Sequence, residues 1–497
     1  MCRLPQVCCR VVTIAFAAVL LRVLAWGVEP AADLARTLLS EGNLDSALRT
    51  VDSALASDTI DLELLVIKAA IHAARGESTR RIASLRAALN RFPSYPDARL
   101  AMAWAFVDSG LTDSAAAYLP PHLLRQGPLQ IQAQYVQGRI FESAGMSDSA
   151  VGMYKSAYES LDRRELLWIP VSPGEKLNSS RLLSAEGGAA VWRPGIPSIF
   201  VFWATWSPSS LEAFGEIVTN LKRSGIKWRF MPINVDDPNP APDIRTKILQ
   251  QARALGYKDT VWIDDKLSLS QSWHLNCIPT VLVTSLNGEI EVAEEGWSGR
   301  VRNLIVDRYL GSYKDTVQSP LPAPAPERTR SLYLIAAANA AGEAGNLEQA
   351  VKQSTKAVTA DPAFALAHVA LAVWRWSRGD TLGARMAAND ALRADSASPW
   401  ACLAVARIEN LHGNKQSAFD LMTKYLIQDT AFVPGWRLLG SLAATLNKTA
   451  TASDALRRIE ALNKLDWAIP VLRALIAETD EPERAAAAWR LAVEARL

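Results

Sequence analysis

One spacing runs through most of this chain: a small turn residue about every 34 positions. Gly42, Gly76, Gly110 and Gly145 are 34, 34 and 35 residues apart, and Gly345, Gly379, Gly413 and Asn447 are 34 apart throughout. Five residues after each come Ala47, Arg81, Ala115 and Ala150, then Ala350, Ala384, Ala418 and Ala452. Seven residues before stand Ala35, Ala69, Ala103 and Gly138, then Ala338, Ala372, Ala406 and Gly440. Small side chains at fixed points let paired helices approach closely. Gly or Asn at the turn accepts the left-handed conformation that ends a helix. Large apolar residues at i, i+3, i+4 and i+7 fill the space between pairs. One such hairpin cannot bury its own apolar face, so the pattern commits the chain to stacked helical hairpins.

Both series resemble tetratricopeptide repeats, with Pro93 and Pro362 at the proline place after the second helix. They divide the chain into a first repeat block over 28–165 and a second over 329–497. Pro120-Pro121 falls inside the second helix of the third repeat and should shorten it. Residues 466–497 fit a fifth repeat of the second block, with Asp480 at the turn, Ala485 at the small position and Pro470 early in the first helix. The resemblance implies a scaffold, or a peptide-binding groove on the concave face. Nothing resembles the clustered Lys/Asn carboxylate clamp of chaperone-binding repeats, so the ligand stays open.

Residues 166–313 break the helical period. The continuous apolar run Ser198–Trp203 reads as a buried strand. A helix over Leu211–Arg223, a strand over Lys227–Val235 and a helix over Asp243–Leu255 follow. Then come Trp262-Ile263, a short helix to His274 and a strand after Pro279. Asn287-Gly288 signals a hairpin into Glu289–Ala293. Such an order gives an α/β sandwich.

Three landmarks of this domain resemble the TlpA/ResA branch of the thioredoxin superfamily. They are Phe202-Trp203-Ala204-Thr205-Trp206, a strand ending in Val235-Asp236, and Ile278-Pro279-Thr280 before Asn287-Gly288-Glu289. Ser207 and Ser210 stand at the two places of the family's Cys-x-x-Cys pair. Disulfide exchange needs an attacking thiolate and a resolving thiol, and two hydroxyls supply neither. Redox-active thioredoxins also carry a buried Asp where this chain has Val201. The resemblance further implies that Pro279 is cis and faces the helix start at Ser207–Ser210. In active members the proline loop and the tryptophan before the first cysteine hold an extended substrate. Those places are Ile278, Pro279 and Trp206 here, the candidate peptide-binding residues. Cys277, two residues before that proline, reads either as a reactive thiol or as a small packed apolar side chain. A Ser/His hydrolase would need a base beside the serine, and His274 is the domain's only histidine.

The first 27 residues read as a secretory signal, or an uncleaved anchor: Arg3 and Arg10, an apolar segment over 11–25, and small Ala25 and Gly27. Cys2, Cys8 and Cys9 lie inside it, leaving Cys277 and Cys402, which is no disulfide framework. Net charge is only +2, which argues against nucleic acid as the main partner. His72, His122, His274, His368 and His412 are scattered without metal spacing, and no phosphate loop or dinucleotide motif occurs, so no metal or cofactor is expected. A proline-rich stretch over 319–326, within a linker at 314–328, reads as an extended spacer of ~25 Å at ~3.1 Å per residue. It predicts a first block packed with the middle domain and a second block placed independently.

The expected architecture is therefore a helical solenoid, a central thioredoxin-like α/β sandwich (166–313) and a second helical solenoid. The expected role is an exported, non-catalytic protein- or peptide-binding scaffold of the periplasm or cell envelope, such as a holdase or assembly factor. Membrane contact is expected only if the N-terminal segment stays attached. Two alternatives stand beside it: an oxidoreductase-class protein acting through Cys277 or a partner thiol, and a purely architectural thioredoxin-like spacer between binding arms.

Overall fold

The computed structural model describes residues 30–57, 61–119, 121–125, 129–161, 176–177, 180–224, 228–236, 242–264, 267–273, 275–311, 326–427, 430–478 and 480–495. The expected signal and most of the linker lie outside these residues, as does His274. The described residues fall into two compact units: those up to Leu161 with those from Arg473 onward, and those from Lys176 to Leu472.

The first unit is built of antiparallel helix pairs: α1 (Pro30–Ser40) with α2 (Leu44–Ser57), α3 (Leu62–Ala74) with α4 (Ser78–Arg91), α5 (Pro96–Asp108) with α6 (Thr112–Tyr118), and α7 (Gln130–Ser143) with α8 (Ser147–Leu161). The turns are those the spacing predicts. Gly42, Gly76, Gly110 and Gly145 all have φ between +72° and +77°. The small positions are closed: Ala35, Ala47 and Ala115 are fully buried, as are Ala103 and Ala150. Helix α6 stops at Tyr118, and a 3-10 turn over Pro121–Leu124 follows, as the proline pair dictates.

In the second unit a mixed seven-stranded sheet has the order β2-β1-β5-β4-β3-β6-β7. The strands are β1 (Ser180–Ser184), β2 (Ala189–Trp192), β3 (Ser198–Trp203), β4 (Arg229–Asn234), β5 (Trp262–Ile263), β6 (Thr280–Thr284) and β7 (Ile290–Glu295). β3 pairs parallel with β4 and antiparallel with β6, and β4 pairs parallel with β5. The helix α9 (Pro208–Ser224) follows β3, and α10 (Pro242–Ala254) follows β4. The short α11 (Ser268–Ser272) precedes the proline loop, and α12 (Gly299–Arg302) runs into a π-helical segment over Asn303–Leu310. Each residue of β3 is buried because its side chains feed two cores in alternation. Ile199, Val201 and Trp203 join Phe214 and Ile217 of α9, whereas Phe200 and Phe202 join Trp192, Ile233 and Trp273. This parallel β–α–β core with an antiparallel hairpin added beside β3 is thioredoxin-like. The β1–β2 hairpin was not anticipated, because its strands are short and carry weak alternation.

The second repeat block comprises α13 (Pro326–Glu343), α14 (Leu347–Ala360), α15 (Ala365–Ser377), α16 (Thr381–Ala394), α17 (Pro399–Leu411), α18 (Lys415–Leu426), α19 (Val433–Thr445), α20 (Thr449–Leu462) and α21 (Ala468–Ala477). Its turn residues Gly345, Gly379 and Gly413 have φ between +80° and +90°, and Asn447 takes the same place at +55°.

Two expectations of domain organisation change. The second block shares a compact unit with the sheet domain, whereas the first block falls in the other unit. The expected terminal repeat also divides, at Leu472. The last helix, α22 (Pro482–Glu494), packs on α7 and α8 of the first block. Glu478 joins this contact, receiving both Lys155 Nζ at 3.0 Å and Trp489 Nε1 at 2.8 Å. Tyr135 donates its hydroxyl to Glu494, Arg490 pairs with Glu142 at 3.2 Å, and the Tyr158 and Trp489 rings lie 5.4 Å apart.

Candidate functional site

The chain leaves the buried end of β3 through Ala204-Thr205-Trp206 and enters α9 at Pro208. Asp236, just past β4, fixes this corner by accepting the Thr205 N–H through Oδ1 at 2.7 Å. Ser207 caps the helix, its Oγ accepting the Ser210 N–H at 3.3 Å and lying 3.4 Å from the Ile278 carbonyl oxygen. Ser210 Oγ accepts the Ala204 N–H at 3.1 Å and lies 2.8 Å from the Ser207 carbonyl oxygen. Both serines are buried, with 1% and 0% exposure. The described partners of the two hydroxyls are main-chain N–H and C=O groups, none of which is a base. Here the hydroxyls hold a turn together, and their chemistry is that of structural hydrogen bonds.

Opposite them lies the loop before β6. The Ile278–Pro279 bond is cis. Cys277 is 1% exposed, and its carbonyl accepts the Thr280 hydroxyl at 2.7 Å. The structure thus brings Ser207 and Ile278 into contact, as the resemblance implies. Val201 is fully buried between its sheet neighbours.

The edge of this loop is already engaged by the chain itself. The Ile278 N–H donates to the Leu462 carbonyl at 2.9 Å, at the C-terminal end of α20. Asn463 Nδ2 donates to the Asn276 carbonyl at 3.4 Å. Arg437 of α19 donates through Nη1 to Asn276 Oδ1 at 3.1 Å, while its Nε and Nη2 are held by Asp466 at 3.1 and 2.5 Å. Asn276 is kept in place from behind by Glu295 of β7, which accepts its main-chain N–H at 3.0 Å. Lys464 sets its ammonium 5.3 Å from the centre of the Trp206 ring. Beside this contact, Gly296 approaches Ala431 so closely that a Cβ there would lie 2.9 Å from the alanine's. Of the three candidate peptide-binding residues, Trp206 and Ile278 are in contact with residues 462–464, and Pro279 follows Ile278 through the cis bond. Nothing in the local sequence of Arg437, Asn463 or Lys464 signals this, because the contact joins separate elements and has no periodicity of its own.

A tetratricopeptide repeat family model matches residues 32–99. No curated protein gives a significant match to the chain. Among solved structures, a thioredoxin-family thiol:disulfide interchange protein of Chlorobium tepidum is 18% identical, with 29% of this chain and 100% of that one covered at a TM-score of 0.23. StoA of Bacillus subtilis is 17% identical over 26% of this chain and 92% of its own, at a TM-score of 0.22. The exposed lipoprotein thioredoxin of Streptococcus pneumoniae is 16% identical over 27% and 99%, at 0.23. Tetratricopeptide repeats generally mediate contacts between proteins. Among the described residues no helix is long and apolar enough to cross a membrane, and no three His, Cys, Asp or Glu side chains are grouped to hold a metal ion.

Proposed function

We propose that this protein is an exported, non-catalytic scaffold whose helical repeats bind other proteins, in the manner of a holdase or an envelope assembly factor. One observation carries the non-catalytic part. Where exchange chemistry would need two sulfurs, Ser207 and Ser210 are buried and hydrogen-bonded to the main chain. A hydroxyl ionises far above the thiol range, and one helix N-terminus shifts a group by too little to close that gap. Export rests on the N-terminal apolar segment of the sequence.

An oxidoreductase reading would run through Cys277 or a partner thiol, and the 1% exposure of Cys277 supports a packed side chain instead. The architectural reading gains support from the engagement of Ile278 by Leu462, which makes the sheet domain a mount for the second repeat block.

An insulin-reduction assay tests the proposal. The full chain is expected to give no turnover above the dithiothreitol background, with or without Cys277→Ala. Cysteine-dependent turnover by the unmodified chain would overturn it. In parallel, light scattering from a chemically unfolded client is expected to fall as the chain is added, and unchanged aggregation would remove the holdase role.

A further inference from the structure

We propose that residues Leu462–Lys464 are the resident occupant of the proline-loop edge, a built-in pseudo-ligand that closes this edge to outside peptides and fastens the second repeat block to the sheet domain. The inference does not depend on the binding role of the repeats. It rests on how each polar group of the edge is used. The Ile278 main-chain N–H, the group an added strand would take, is spent on the Leu462 carbonyl. The Asn276 carbonyl and carboxamide receive Asn463 and Arg437. The indole face of Trp206, which would flank an extended ligand, carries the Lys464 ammonium.

The occupant is held by more than its own bonds. Asp466, two residues past Lys464, has a fully buried side chain that grips Arg437 through both oxygens. Asp466 Oδ1 also accepts the Ala468 N–H at 2.9 Å, which starts α21. Asn463 accepts the Leu465 N–H at 3.1 Å and so fixes the turn that presents the Leu462 carbonyl. A buried, multiply bonded ion pair behind the docked turn makes it a built interface. Asn276 is the sheet-domain member of that interface, and the Arg437–Asp466 bonds run through Nε and Nη2 rather than through the Nη1 that reaches Asn276.

The test uses the full chain and the double variant Asn276→Ala/Asn463→Ala, which spares the Arg437–Asp466 pair. Hydrogen exchange read at the Ile278 amide should be slow in the unmodified chain. It should be roughly tenfold or more faster in the variant, with amides of α14 and α15 unchanged. The probe is a fluorescent peptide of residues 459–467, Ile-Glu-Ala-Leu-Asn-Lys-Leu-Asp-Trp. It is expected to bind the variant and to leave the unmodified chain unlabelled. Fast exchange at Ile278 in the unmodified chain would overturn the proposal, as would equal binding of the peptide to both proteins. Should the double variant fail to fold, Lys464→Glu replaces it. That single change reverses the charge over Trp206 and is expected to speed Ile278 exchange, whereas an unchanged rate would count against the proposal.

Discussion

Arg437 and Asp466 form a buried ion pair whose carboxylate side chain is wholly removed from water, and the arginine spends its remaining Nη1 on Asn276 of another domain. Removing one partner leaves the other charge buried and alone, which costs about 3–5 kcal/mol. Arg437→Ala should therefore lower the unfolding free energy by about that amount in a urea titration. Exchanging both residues for apolar ones, Arg437→Met with Asp466→Leu, should recover much of the loss, since the pair contributes little beyond a packed apolar equivalent.

Ser210, buried at the first turn of α9, does a hydrogen-bonding task. Its hydroxyl is the described partner of the buried Ala204 N–H. Ser210→Ala strands that donor and should cost about 1–2 kcal/mol in equilibrium unfolding. No change in stability would mean that the corner does not need the hydroxyl.

Gly138 occupies the small position of the fourth repeat. A Cβ placed there would lie 2.5 Å from Tyr154 Cε1, and Tyr154 is fully buried. The ring cannot retreat without disturbing its bond to Glu142 at 2.8 Å. Gly138→Ala is expected to destabilise the first block by about 1–3 kcal/mol, read from the shift of its unfolding midpoint.

Burial raises the Asp264 carboxyl above the usual 3.8, although N–H and hydroxyl donors from Leu269 and Ser270 pull the other way. A native-state pKa above the unfolded one means the folded chain binds more protons. The stability from this group is full below the unfolded value and is lost as pH rises through the folded one. The unmodified chain minus Asp264→Asn should therefore show a stability difference that declines as pH climbs above 3.8. A difference that grows with pH over that range would contradict the assignment.

What the residues disclose in advance follows from how far each interaction reaches. The turns at Gly42, Gly76 and Gly345 were legible because a left-handed turn is written in one residue and repeated. Strand β3 was legible because a two-sided burial demands an unbroken apolar run. The cis bond before Pro279 and the contact of Ser207 with Ile278 followed from the thioredoxin resemblance. The docking of Leu462 on Ile278 was invisible, since a main-chain carbonyl carries no residue signature. The pairing of α22 with α8 was hidden for the opposite reason. An amphipathic repeat helix offers the same kind of face to any neighbouring repeat, so the period specifies a partner of that type and leaves its identity open.

Lys155 and Glu478 meet across 323 intervening steps of sequence. A ribosome releases the α8 surface long before the helix that covers it exists. Through that interval the exposed end of the first helical stack keeps Tyr158 without the Trp489 ring that packs on it at 5.4 Å. Synthesis of the first helical stack is thus followed by a wait of 323 residues between Lys155 and the Glu478 that closes on it.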